Sequence, residues 1–342
     1  MKNFFLLLLP LACAQEVLTN RAAHDASPVA TLNSIAYGDL GTHHGSKVHK
    51  TIVASLTEDG LLEIQGVPGL AEARRLAFSA MQTCLARSPK GPFSDSNNEP
   101  SLTTETLTDG TRRQSIGTQV KPGNEHAEIS QALVVACPEL REPVENLRES
   151  IDKVSSQLMS ALDDAFLPTA SATEVPLFYD RAFSPSSGNE VPAYNGNNWK
   201  GFSDATLGAT QLEHFHAYTL KLKPAARDTK TLNYHTDAGL FLLFVPAWYS
   251  HDPLDLNPTS GEFKYLDKNG AERTIVTRGA DSSSFIDSTT TDAVADDSLV
   301  MMVGKGAEEY LTPALRGLKM RAVPHALTVK PTIDNQQFSR YW

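Results

Sequence analysis

Through the first half of the chain apolar residues recur every three or four positions, and through the second half they alternate or run together. Those are the periods of a helix face and of a strand. Ala71 to Arg87, AEARRLAFSAMQTCLAR, sets Leu76, Ala77, Met81 and Leu85 on one stripe and predicts an amphipathic helix. Glu139 to Phe166 predicts a longer one, with Leu140, Val144, Leu147, Ile151, Val154, Leu158 and Leu162 on its apolar side. Both helices are expected to pack on one face of a sheet. Ahead of them, SIAYGDL (Ser34 to Leu40), the β-branched THHGSKVHKTIVASL region and GLLEIQGVPG from Gly60 read as short strands and turns. Leu167 to Gln211 is rich in Pro, Gly, Asn and Ser, hence loop; Ser88 to His126 is a polar stretch that contains Pro and Gly.

From Leu212 the pattern is that of strands. LEHFHAYTLKL places Leu212, His214, His216, Tyr218 and Leu220 on one face. Further strands are expected at Leu240 to Val245, Glu262 to Leu266, Thr274 to Thr277, Ser298 to Val303 and Ala322 to Val329. DSSSFIDSTTTDAVADD, Asp281 to Asp297, reads as an exposed acidic loop. Helices first and strands later predict an α+β fold whose C-terminal half is a β-sandwich or open barrel. The expected division is a mixed region at 15–166 and a β-rich core at 167–342, with an insertion around 279–297.

Composition narrows the classes. With 342 residues, 41% of them hydrophobic, the chain can bury a full core. A net charge of −10, with no cluster of Lys and Arg among aromatics, argues against a nucleic-acid partner. MKNFFLLLLPLACA, residues 1–14, has one lysine, an apolar stretch and a small-x-small ending, the pattern of a cleaved secretory signal. That stretch is too short to span a bilayer, and no later segment is apolar enough. The expected location is therefore secreted or within the secretory-pathway lumen. Cys84 and Cys137 remain after cleavage, and either form one disulfide or lie buried as free thiols.

The candidate chemistry begins at NYHTDAGLFLLFVP, Asn233 to Pro246. Residues i and i+2 of a strand share a face, so His235 and Asp237 project together at the mouth of an apolar run. Two buried polar groups there need a partner, either a metal ion or a hydrogen-bond network. In RAVPHALTVKP, Val323, His325, Leu327 and Val329 share one inward face, which makes His325 a third candidate ligand. Two histidines and a carboxylate form the facial triad that holds non-haem Fe(II) with positions left open.

These residues resemble a known family. His235-Thr236-Asp237-Ala238-Gly239 before an apolar strand resembles the HTDxG signature of isopenicillin-N-synthase-like Fe(II)/2-oxoglutarate-dependent dioxygenases. DSLVMMVG, Asp297 to Gly304, is similar to that family's apolar strand ending in Gly-Asp, and EYLTPALRGLKMRAVPH, Glu309 to His325, to the segment leading to its distal histidine. The resemblance covers about Leu212 to Arg340 and implies a double-stranded β-helix (jelly-roll) core. It implies His235, Asp237 and His325 as iron ligands, and 2-oxoglutarate as co-substrate. The co-substrate's far carboxylate needs a cation, and bidentate Arg fits best. In the family an Arg-x-Ser motif supplies it; here Arg340 is the residue in register, fifteen positions after His325 and with Trp342 in the serine's place. Arg321 is the fallback. Tyr218, where the family often has a tyrosine, is either a second contact to that carboxylate or a core side chain.

The activity implied is oxidation of a small organic substrate by O₂, giving hydroxylation, desaturation or ring closure. Two other readings stand beside it. One is a catalytically degenerate dioxygenase fold acting as a secreted binding protein. The other is a zinc hydrolase built on the same His and Asp, for which His214 and His216 offer further ligands. Neither the substrate nor the oligomeric state is encoded in these motifs.

Overall fold

The computed structural model describes residues 28–41, 46–87, 101–120, 129–167, 201–208, 211–220, 230–249, 261–275, 297–311, 315, 318–329 and 338–341. The signal-like residues 1–14 and nearly all of the acidic insertion lie outside them. In chain order the elements are β1 (Ser34–Ala36), α1 (Tyr37–Leu40), α2 (Ser46–Glu58), β2 (Leu61–Gln65), α3 (Leu70–Ala86), β3 (Leu102–Thr106) and β4 (Arg112–Val120). There follow α4 (Gln131–Ala136), a 3-10 turn (Pro138–Leu140), α5 (Arg141–Phe166), α6 (Phe202–Gly208), β5 (Gln211–Leu220), β6 (Leu232–His235), β7 (Phe241–Phe244) and β8 (Trp248–Tyr249). The chain closes with β9 (Gly261–Leu266), β10 (Glu272–Ile275), β11 (Leu299–Val303), a π-helical turn (Ala307–Leu311), β12 (His325–Val329) and β13 (Phe338–Tyr341).

Three sheets result, ordered β1-β2-β11-β7, β10-β9-β12-β6 and β3-β4-β5-β13-β8. Strand β7 and strand β8 are separated only by Val245, Pro246 and Ala247, so one chain segment joins the first sheet to the third. The helical layer covers a single large core. Ile52 and Leu56 of α2, Phe78 and Met81 of α3, and Leu158 and Leu162 of α5 meet Leu62 and Ile64 of β2, Met301 of β11, and Phe215 of β5. A second cluster lies on the other side of β2 and β11: Leu61, Val300 and Met302 face Phe263 and Tyr265 of β9. Strand β11 alternates between these clusters, which is why LVMMV is apolar at every position. Both ladders join the N-terminal segment to the C-terminal one, β2 through β11 and β4 through β5.

The structure corrects two sequence expectations and adds a hairpin to a stretch that carried no assignment. SKVHKTIVASLTE is helix α2, not strand and turn. Its β-branched residues favour strands, yet Ile52 and Leu56, four apart, are both fully buried against the helical layer, and packing overrides propensity. Within Leu167 to Gln211, residues 202–208 form α6. The Asp163 carboxylate accepts the backbone N–H groups of Phe202 and Ser203 and the Ser203 hydroxyl, satisfying the donors at that helix start. The polar Ser88 to His126 stretch contains a hairpin, β3–β4, whose turn runs through Asp109 and Gly110 at φ 86°. Asp109 accepts from Thr111 N and from the Thr231 hydroxyl, and Thr231 in turn accepts from Val329 N. The hairpin tip thereby pins the start of β6 to the end of β12.

Candidate metal centre

Strands β6 and β12 are antiparallel neighbours with His235 directly opposite His325. Their imidazole centroids lie 4.3 Å apart. His325 is buried, and its ring also stacks on Phe263 at 5.3 Å and 12°. Asp237, two residues beyond the end of β6, turns its carboxylate to both rings: Oδ1 is 3.9 Å from His235 Nε2, and Oδ2 is 3.8 Å from His325 Nε2. Those distances are too long for hydrogen bonds. They are shorter than two metal–ligand bonds of about 2.1 Å laid end to end, so one cation between the atoms can reach both. One ligand atom from each of the three residues lies within 4.8 Å of the others.

The tautomers follow from the backbone. His235 Nδ1 lies 2.8 Å from the Asn233 carbonyl, and His325 Nδ1 lies 3.0 Å from the Val323 carbonyl. A carbonyl only accepts, so each Nδ1 carries the proton and each Nε2 presents a lone pair to the centre. Burial, then the neighbouring His235, lower the His325 pKa; Asp237 and the Val323 carbonyl oppose this only in part. His325 therefore stays neutral near pH 7, the form that binds metal. Two imidazole lone pairs and a carboxylate converging without hydrogen bonds among them make an arrangement that a cation completes.

Asp237 is the member held by a loop rather than a strand, and Gly304-Lys305-Gly306 holds that loop. Lys305 N donates to the Asp237 carbonyl at 2.7 Å, Gly304 N to Leu240 O at 2.9 Å, and Gly306 N to Gly239 O at 3.1 Å. A Cβ at Gly304 would stand 2.2 Å from Gly239 O, and one at Gly306 2.9 Å from Ala238 O. Gly239 carries no such constraint, since its nearest outside atom is 4.0 Å from a built Cβ. The glycine requirement falls on the facing segment instead. Gly304 and Gly306 form a G-x-G at the end of an apolar strand; that spacing was the available signal, but it does not say what the backbone approaches.

The remaining sequence candidates separate. Tyr218 is 1% exposed and packs with Leu327 and Val329 of β12. The backbone of Arg340 lies directly opposite Tyr218 across β13–β5. Arg321, the fallback cation, is committed elsewhere: its guanidinium donates to the carbonyls of Asp59, Leu266 and Asp267. His214 and His216 lie on β5 beside Tyr218, with ring centroids 5.5 Å apart, outside the converging trio. Cys84 and Cys137 form a disulfide, which resolves the alternative left open by their spacing. Among the described residues no helix is long and apolar enough to cross a membrane.

No protein-family model matches the chain, and no curated protein matches it in sequence. Solved structures do match in fold. A 2OG-Fe(II) oxygenase family protein from Caulobacter crescentus superposes with a TM-score of 0.52 at 11% identity, over 93% of this chain and 86% of its own. The rice dioxygenase for auxin oxidation gives 0.51 at 12% identity, over 91% and 81%. A full-length Neurospora crassa protein, solved in complex with alpha-KG and 5-formyluracil, gives 0.51 at 13% identity, over 94% and 86%. The fold is one that Fe(II)/2-oxoglutarate oxygenases use, and the site offers the His-Asp-His donor set described above.

Proposed function

We propose that this chain is an Fe(II)- and 2-oxoglutarate-dependent oxygenase that oxidises a small organic molecule with O₂. The observation that carries the reading is the convergence of His235, Asp237 and His325, with both Nδ1 protons spent on backbone carbonyls. Two imidazoles with one carboxylate are a donor set that suits a borderline divalent ion. The strand order supports a jelly-roll: the β10-β9-β12-β6 sheet shares its inner apolar cluster with β2, β7 and β11.

In this reading His235, Asp237 and His325 hold the iron. The Gly304–Gly306 segment fixes the Asp237 loop, and the two carbonyls fix the imidazole tautomers. Phe263, stacked on His325, keeps water from that side of the ring. Tyr218 and Arg340, opposite one another on adjacent strands, bind and orient the far carboxylate of 2-oxoglutarate. Bound iron supplies O₂ activation coupled to oxidative decarboxylation of the keto acid. The neighbours from rice and Neurospora are described with auxin and 5-formyluracil, which supports a small-molecule substrate by fold analogy alone. The Cys84–Cys137 disulfide supports the secretory route read from residues 1–14, because such bonds persist in oxidising compartments.

Anaerobic titration of the purified chain with Fe(II) and 2-oxoglutarate tests the reading. Wild type is expected to develop the metal-to-ligand charge-transfer absorption of an iron–keto acid chelate, and His235→Ala to show none. Absence of the band in wild type would sink the proposal in favour of a binding protein on this fold. Hydrolytic activity that persists under nitrogen with Zn(II) would favour the hydrolase.

A further inference from the structure

One face of the β4–β5 ladder carries polar side chains that neither the helical layer nor the donor set uses. Arg113 pairs with Tyr218, Ser115 with His216, and Gly117 with His214, each directly opposite its partner and so on one face. The rings form a continuous row: His214 to His216 at 5.5 Å, His216 to Tyr218 at 6.0 Å. The opposite face of the same strands, with Ile116, Phe215 and Ala217, is the one buried under the helices. The polar row therefore looks the other way, and Tyr218 shows toward what: it packs on Leu327 and Val329 of β12, the strand that His325 begins.

The row is built rather than incidental. Ser115 Oγ lies 2.7 Å from His216 Nδ1 and fixes that ring. The His214 ring reaches across to Gly117, where a Cβ would make ordinary van der Waals contact at 3.4 Å from Cδ2 and 3.7 Å from Nε2. The charges of Arg113, Glu213 and Asp237 all reach His214, and Asp237 belongs to the candidate metal centre. On this face β4 and β5 present two imidazoles, a guanidinium and two hydroxyls, and no acidic side chain. Arg113 is paired to Glu105 on the next strand, yet its positive field still reaches His214.

We propose that this face is the substrate wall of the site and selects a substrate bearing a carboxylate, which His214 and His216 bind in the field of Arg113. The wall rests on the oxygenase reading only for what it is placed beside; its anion preference is a property of its own residues. Imidazole N–H groups beside a guanidinium donate charge-assisted hydrogen bonds to a carboxylate, and an amide of the same shape forgoes them. Discrimination of about tenfold or more follows from bonds of that strength.

Fluorine NMR titration with two matched pairs tests this: para-fluorophenylacetate against its amide, and omega-fluorohexanoate against its amide. The full chain is measured loaded with Zn(II) and 2-oxoglutarate, and again as metal-free His235→Ala. At least one acid is expected to bind about tenfold more tightly than its amide in both proteins. That preference is expected to vanish in His214→Ala and in His214→Gln, with melting temperature and 2-oxoglutarate affinity unchanged. Two variants are used so that a folding defect in one does not decide the matter. No preference in wild type, or a preference that survives both His214 variants, overturns the wall. So does a preference lost in His235→Ala, which puts the acid on the metal, or a His214 effect confined to 2-oxoglutarate. If His235→Ala prefers acids while wild type never binds iron, the oxygenase reading fails and the wall stands.

Discussion

Asp237 reaches the donor set from a loop, and the two histidines reach it from paired strands, so the three residues differ in how their positions are fixed. The loop depends on a close backbone approach that only glycine permits, with Gly304 the tighter contact at 2.2 Å from a built Cβ. Gly304→Ala is expected to displace the Asp237 carbonyl and weaken Co(II) binding about tenfold or more, with both imidazoles in place. A metal titration followed by visible absorption checks this, and unchanged affinity would contradict it. Tyr265, opposite His325 on β9, gives a pH prediction. Burial pushes its hydroxyl up to about 12; Asp59 adds to this, and Arg273 and Arg321 oppose it. Above the ordinary phenol value of about 10 the unfolded chain loses that proton while the folded chain keeps it. The unfolded state then binds fewer protons, so this stabilisation is lost as pH rises from about 10 through 12. Urea unfolding across that window is expected to show a shallower decline in Tyr265→Phe than in wild type.

At the scale of elements, helix α5 is fixed to strand β5 by a charge pair inside the layer. Arg148 donates to both Glu213 carboxylate oxygens, and Thr118 donates to one of them. The Arg148 side chain is 8% exposed and that of Glu213 22%, so removing the arginine leaves a largely desolvated carboxylate. Arg148→Met is expected to cost about 2–3 kcal/mol in urea unfolding, below the fully buried case because of the glutamate's exposure. A loss under about 0.5 kcal/mol would mean the pair behaves as a surface bridge. Helices α3 and α5 were legible because each has one period and one buried side, and strands such as β11 and β12 because they are apolar runs buried on both sides. Helix α2 was not, since Val48, Thr51, Ile52 and Val53 carry strand propensity and only burial of Ile52 and Leu56 selects the helix. The β3–β4 hairpin was hidden because β3 is mostly exposed and its sequence, LTTET, is mostly polar.

Across the whole molecule, the disulfide Cys84–Cys137 closes a loop of sequence separation 53 that contains the β3–β4 hairpin. Both cysteines lie fully buried in the helical core, and neither belongs to the donor set. Replacing both cysteines with alanine is expected to cost about 2–4 kcal/mol of stability, chiefly by freeing the unfolded chain. Metal affinity, read in the same samples, is expected to stay unchanged. The amino-acid order alone determined the kinds of donor atom present, the helical or strand period of most segments, and an α+β layout. Those properties are local: side-chain chemistry belongs to one residue, and a period needs only a dozen neighbours. Convergence is a property of pairing. His235 and His325 stand ninety positions apart and meet because β6 and β12 share a ladder. The tautomers, the glycine contact beneath Asp237, the capture of Arg321 by three carbonyls and the joining of two cysteines were likewise decided by the tertiary structure. Each depends on backbone atoms that distant segments bring together, and backbone atoms are the same in every residue.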